Sequence, residues 1–223
     1  MRQETSYLGQ SDIKLTPMER KLSTILASDV VGFSKMMAAD EEQTLDLLRQ
    51  RRQVIDGLIV EHSGSIFGSA GDSVIAEFQS PIKATECAVQ MQGKMQAMNE
   101  DVPEERQMVF RVGINLGDVM VAQDNLFGDA VNVAARLESA AKPSGICISQ
   151  SVFDMVSQKI KVSYEDAGEL ELKHIEYPVQ AYFVIQSKGA TRYTRGASDA
   201  PQVKVEQAEP GSLACLLYTS DAA

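Results

Sequence analysis

Residues 64–78, GSIFGSAGDSVIAEF, mix β-branched and aromatic residues with small turn formers. The stretch reads as two short strands folded back on each other through a turn at Ser69–Asp72. Upstream, LSTILAS (22–28) is β-prone and runs into the turn-like DVVGFS, the pattern of a buried strand. Between these, residues 40–62 place Leu45, Leu48, Ile55, Leu58 and Ile59 on one helical face. Asp40 and Gln43 form a capping box at the start of that helix, and Gly64 ends it. The order so far is β-α-β-β.

Working outward, Ser80-Pro81 opens a second helix, with Ser as N-cap and Pro at the first position. Its face carries Ala84, Ala88, Met91, Met95 and Met98, a row that reads as core packing. A strand follows at 108–115; Gly117 is expected to break it, with 118–122 continuing into a hairpin. Gly128-Asp129 opens a helix over 130–140. PSGICIS supplies a turn, a short strand and a cap, and a helix follows near 150–157. Residues 162–172 and 179–186 pair as closing strands. The expected fold is α+β, a ferredoxin-like βαββαβ core with a C-terminal extension.

Residues 1–20 read as a polar lead-in, 21–187 as the folded domain, and 188–223 as a linker or tail, small, polar and Pro-containing. The last segment, SLACLLYTSDAA (212–223), changes character abruptly and reads as a cloning or read-through scar.

The chain has 223 residues with 21 Lys+Arg against 31 Asp+Glu, a formal net charge of −10. That charge argues against coating nucleic acid by bulk attraction, though not against a local nucleotide site. No run approaches the roughly 20 apolar residues of a membrane span, and MRQETSYLGQSDIK has no apolar core of a signal peptide. Three separated cysteines, Cys87, Cys147 and Cys215, do not make a disulfide framework, so a reducing, cytoplasmic setting is expected. With only His62 and His174, a zinc site of His and Cys ligands is not expected. Walker A and G-x-G-x-x-G phosphate loops are absent.

Two carboxylates stand out by position. Asp29 ends the first strand and Asp72 opens the third. In a β-α-β-β core these strands are antiparallel neighbours, so the two aspartates meet although 43 residues separate them. Such a pair repels unless one member is protonated or a cation joins them. Hard oxygen donors without His or Cys favour Mg²⁺ or Mn²⁺. The Gly-containing turn DVVGFS leaves backbone N–H groups that can cradle phosphate oxygens. In GDAVNVAARLE (128–138), Asn132 and Arg136 are four apart and share a helix face, an amide and a guanidinium suited to a phosphate. Singly, each of these reads better as a turn cap or a surface polar stripe; the two aspartates, taken as a pair at adjoining strand ends, do not.

Taken in order and spacing, LSTILASDVVGFSKMM (22–37), FGSAGDSVIAEF (67–78), FRVGINLGDVMV (110–121) and NLFGDAVNVAARLE (125–138) resemble the catalytic domain of class III nucleotidyl cyclases. The look is that of bacterial adenylate cyclases of the type common in rhizobia, over roughly residues 20–186. The resemblance implies an enzyme, a phosphorus–oxygen lyase that converts ATP to 3′,5′-cyclic AMP and pyrophosphate. It implies Asp29, Val30 and Asp72 as the positions holding two divalent ions, Mg²⁺ or Mn²⁺, per active site. Asn132 and Arg136 match the pair that orients the ribose and steadies the reacting phosphorus. Phe33 and Ser34 match the turn against the phosphates, and Lys173, in ELELKHI, a phosphate-binding lysine. Because Asn132 and Arg136 come from the partner subunit in this family, a head-to-tail homodimer with shared sites is implied.

Two positions depart from the family. Its base-reading lysine stands four residues before Asp72, where this chain has Gly68. The lysine's usual partner, Asp or Thr, is here Asn125, whose amide offers both donor and acceptor. The expectation is an adenylate cyclase with base selectivity relaxed toward GTP. The alternative is a degenerate cyclase-homology domain that binds nucleotide and metal, or dimerises, without significant turnover.

Overall fold

A computed structural model describes residues 19–122 and 125–185, all within the compact unit Met1–Thr191. The lead-in over 1–18 and the tail from 188 onward lie outside the described residues. The first strand, β1, is Glu19–Val30, longer than the expected 22–28. Glu19 and Arg20, assigned to the lead-in, belong to it because β1 pairs antiparallel along its whole length with β4 (Phe110–Ala122), from Glu19 opposite Val121 to Val30 opposite Phe110.

DVVGFS is more than a turn. Gly32 takes a left-handed φ of 71° and caps a seven-residue helix, α1 (Phe33–Ala39), that pattern reading missed. Helix α2 (Glu41–Glu61) follows, and Asp40 caps it as expected, accepting from the Gln43 N–H at 3.0 Å. Leu48, Ile55, Leu58 and Ile59 are buried, whereas Leu45 is only half-buried. Strands β2 (Gly64–Ala70) and β3 (Ser73–Phe78) form the expected hairpin, with a register shift between Ile66 and Gly68. Helix α3 (Pro81–Asn99) has Ser80 as its cap and buries Ala84, Ala88, Met91 and Met95.

β4 runs unbroken through Gly117 and turns onto β5 (Asn125–Phe127). Gly117 is there for packing: a Cβ at that position would sit 2.9 Å from the Cβ of Ala130 on α4 (Asp129–Ala140). β6 (Ile146–Ser149), α5 (Gln150–Val156), β7 (Ser163–Leu170) and β8 (Val179–Ile185) complete the chain order.

The sheet order is β2-β3-β1-β4-β6-β8-β7, with β5 on β4. Its β2-β3-β1-β4 part is the ferredoxin-like core, and β6, parallel to β4, begins the C-terminal extension. One face packs α2, α3 and α5 over Leu26, Val74, Phe78, Phe110 and Ile114. The other carries α4 over Ile25, Ala27 and Val119. Each fully buried side chain of this size contributes about 1.5–3 kcal/mol, so the core holds β1 at the sheet's centre. Cys87 and Cys147 are buried free thiols within these layers.

Candidate active site

The antiparallel register of β1 and β3 ends with Ser28 opposite Val74, which brings the next residues of both chains together. The Ser73 hydroxyl donates to Asp29 Oδ1 at 3.1 Å, and the Val30 N–H donates to Asp72 Oδ2 at 3.2 Å. The adjoining turn needs Gly71, whose φ is +63°. The two carboxylates thus meet at one sheet end, as topology predicts. Burial, followed by the neighbouring Asp29, pushes the Asp72 carboxyl up to about 6. A carboxyl that holds its proton this tightly lacks a sufficient counter-ion. Among the described residues no group of three or more His, Cys, Asp or Glu side chains is arranged to hold a metal ion. A two-carboxylate site suits Mg²⁺, which is commonly held by one or two carboxylates plus phosphate oxygens and water. The donor set therefore fits a hard divalent ion.

The pair has a basic neighbour that the sequence reading did not find. Arg111 lies opposite Asp29 in the β1–β4 register, and its Nη2 is 3.6 Å from Asp29 Oδ2. The same Nη2 is 3.1 Å from Glu138 Oε1, and Nη1 donates to the Ser139 carbonyl at 3.2 Å. Glu138 lies on the inner face of α4 and is only 7% exposed. Burial raises its carboxyl to about 7 despite the opposing pull of Arg111, while Asp29 and Asp72 add to the rise. Sequence reading missed both residues. The available signal was register: counting back from the β4 motif sets Arg111 against Asp29.

The outer face of α4 carries the other predicted pair. Asn132 is exposed, and Arg136 is half-buried with its Nε donating to the Lys173 carbonyl at 3.1 Å. Arg136 and the Lys173 segment are thus brought together. At 3.6 residues per turn, Glu138 is rotated about 200° from Arg136 and about 240° from Asn132. So Asn132 and Arg136 face away from the inner side on which Glu138 meets Arg111 and, through it, Asp29. Within one chain the two halves of the predicted site do not converge.

Phe33 and Ser34 open α1, directly after the loop that follows Asp29 and Val30. Gly68 sits in β2 opposite Ile75, and β2 approaches β5, the strand that begins at Asn125. A Cβ at Gly68 would have only the Ile75 Cβ within reach, at 3.9 Å, so space for a side chain exists. A cleft of about 640 Å³ between the start of α4 and the β7–β8 connection, lined by Asn115, Asp129, Gln150 and Tyr177, contains none of the predicted site residues. Asp118 ion-pairs with Arg20 at 3.5 Å on the surface.

Residues 17–186 match the family described as the adenylate and guanylate cyclase catalytic domain. The chain belongs to that family. It is 45% identical over 166 residues to "Putative adenylate cyclase 3" of Rhizobium meliloti (strain 1021), covering 74% of this chain and 28% of that relative. It is 29% identical over 214 residues to guanylate cyclase soluble subunit beta-2 of Rattus norvegicus, 89% of this chain and 31% of the relative. The chain therefore spans under a third of the length of either protein. Among solved structures it resembles the adenylate/guanylate cyclase/hydrolase from Silicibacter pomeroyi, with TM-score 0.73, 35% identity, and 77% and 100% of the two chains covered. It also resembles an adenylyl cyclase from P. aeruginosa, with TM-score 0.68, 25% identity, and 77% and 97% covered. The cyclase fold is thus shared by relatives named for either purine. No helix among the described residues of this cyclase domain is long and apolar enough to cross a membrane.

Proposed function

We propose that this cyclase domain converts ATP to 3′,5′-cyclic AMP and pyrophosphate at sites shared across a head-to-tail homodimer. The observation that carries the reading is the division of α4. Its outer face bears Asn132 and Arg136, while Asp29 and Asp72 lie toward its inner side. A second copy would bring its Asn132 and Arg136 to this chain's carboxylates, and the arrangement repeats in the other direction.

In the cyclisation the ribose 3′-oxygen attacks the α-phosphorus in line. The new P–O bond forms as the bond to the β-phosphate oxygen breaks, and the 3′-hydroxyl proton passes to solvent. Asp29, Asp72 and the Val30 backbone would hold the divalent ions, which when bound would supply charge neutralisation and lower the pKa of the 3′-hydroxyl. Asn132 orients the ribose. Arg136, anchored through its Nε on the Lys173 carbonyl, keeps its terminal nitrogens for charge that develops on the phosphorus oxygens. Removing such a donor costs on the order of 10²–10³ in rate. Phe33 and Ser34 bound the phosphate end, with Lys173 beside it. At the base, Gly68 offers no side chain to read the purine, which supports adenine with relaxed exclusion of guanine. The adenylate name of the rhizobial relative supports ATP as the principal substrate.

One observation favours a second reading, nucleotide binding without turnover: the missing side chain at Gly68. The deciding experiment is product formation from ATP and from GTP, with Mg²⁺ and with Mn²⁺, using Asp72→Ala as the blank. Cyclic nucleotide above that blank supports the enzyme. No product from a folded dimer under any of these conditions selects the second reading.

A further inference from the structure

We propose that Arg111 is a positioning residue for the metal-facing carboxylate, a resident cation shared between Asp29 and Glu138 that must be drawn onto Glu138 for a divalent ion to bind. The inference rests on the reading of Asp29 and Asp72 as the metal pair. The Arg111 guanidinium sits between two carboxylates, 3.6 Å from Asp29 Oδ2 and 3.1 Å from Glu138 Oε1 through the same nitrogen. The longer contact exceeds hydrogen-bond range, so Asp29 is held by charge alone. Its other oxygen is fixed by the Ser73 hydroxyl at 3.1 Å. Oδ2 is therefore the atom for which Arg111 and a divalent ion compete.

Glu138 has no capping duty at the end of α4, where the Ala141 N–H turns back to the Leu137 and Glu138 carbonyls. It is 93% buried by the approach of α4 to β4 at Gly113, and Arg111 is its ion-pair partner. Burying a carboxylate is costly without a partner. Its retention beneath α4 is explained if its charge holds Arg111 back from Asp29. The Nη1 bond to the Ser139 carbonyl tethers the guanidinium on the Glu138 side. A small rotation of the guanidinium plane suffices to trade one carboxylate for the other.

This arrangement predicts effects of opposite sign from two neighbouring substitutions. Glu138→Gln removes the charge that retains Arg111, so Arg111 pairs with Asp29 and metal affinity falls about tenfold. Arg111→Gln removes the competitor, so metal affinity rises. The double variant, which leaves no buried charge unpaired, binds metal at least as tightly as the unaltered protein. The measurement is Mn²⁺ binding to the full chain, read from the electron paramagnetic resonance signal of free Mn²⁺, with 3′-deoxyATP present so that no cyclisation occurs. A thermal melt of each variant checks its fold. If both single variants weaken binding, or neither changes it, while Asp72→Ala abolishes it, the Arg111 inference is wrong and the metal pair stands. If Asp72→Ala binds Mn²⁺ like the unaltered protein, the metal pair itself is wrong and the inference falls with it.

Discussion

Gly113→Ala tests whether the position of α4 sets the rate. Gly113 lies within β4, opposite Ala27 of β1 and Cys147 of β6. A Cβ there would stand 2.1 Å from the Glu138 backbone nitrogen and 2.2 Å from the Ala134 carbonyl oxygen. Both are backbone atoms of α4, so no rotamer change relieves the clash. Restoring an ordinary separation of 3.4 Å from 2.1 Å moves the helix outward by about 1.3 Å. Asn132 and Arg136 move with it, away from the positions in which the proposed function has them meet the nucleotide. Misplacing positioning groups by about 1 Å costs on the order of 10² in rate. The overpacking itself costs about 1–3 kcal/mol of stability. Turnover should be measured well below the variant's melting temperature, so that loss of fold is separated from loss of geometry. Gly93→Ala is the matched control: it lies within α3 with nothing within 4 Å of its added methyl. That change should stabilise by up to about 1 kcal/mol and leave turnover alone. A Gly113→Ala protein with unaltered turnover and melting temperature would falsify the tight α4–β4 contact.

Mixing Asp72→Ala chains with Arg136→Ala chains should restore activity that neither has alone, because the mixed dimer contains one intact site. Subunit exchange should be verified with labelled chains, and exchange without recovered activity would rule out shared sites. Gly68→Lys should raise the preference for ATP over GTP about tenfold, the worth of one hydrogen bond to the base, since a side chain there has room; an unchanged ratio would remove Gly68 from the base pocket. In metal-free protein, Asp72 titrates at about 6 rather than 3.8 and Glu138 at about 7 rather than 4.5. The folded chain thus keeps protons that the unfolded chain has released, and this contribution, full below about pH 4, is lost as pH rises to about 7. Melting temperature should therefore fall across that window, and Asp72→Asn or Glu138→Gln should flatten the fall; a variant whose profile parallels the parent's would refute the assignment.

Most of the element order was legible because helices α2 and α3 display clean periodicity and standard caps at Asp40 and Ser80. The meeting of Asp29 and Asp72 followed from topology alone, since adjacent antiparallel strands leave no other place for their ends. What was illegible depended on contacts between distant segments. Gly117 looks like a strand breaker in isolation and is explained only by Ala130 above it. The extension of β1 to Glu19 is set by pairing with β4, not by its own polar residues. Helix α1 is short and buries no residue fully, so it has little periodic signal to read.

The same limit explains why the chemistry around Asp29 was half read. Periodicity joined Asn132 to Arg136, and continuing it two residues would have set Glu138 on the opposite face. What periodicity lacks is depth. Gly113 lets α4 approach until the Glu138 carboxylate reaches a guanidinium rooted in β4. Once Arg111 is counted, the site holds three carboxylates, Asp29, Asp72 and Glu138, against one guanidinium. Burial is the main cause that raises Asp72 and Glu138, with neighbouring carboxylates adding to it, and a divalent cation offsets that excess of acid more fully than one arginine can. The overall charge of −10 is therefore beside the point. Attraction for a cation comes from Asp29 and Asp72, brought together by strand ends, while on the proposed reading the triphosphate would be met by the cationic residues of a second copy's α4.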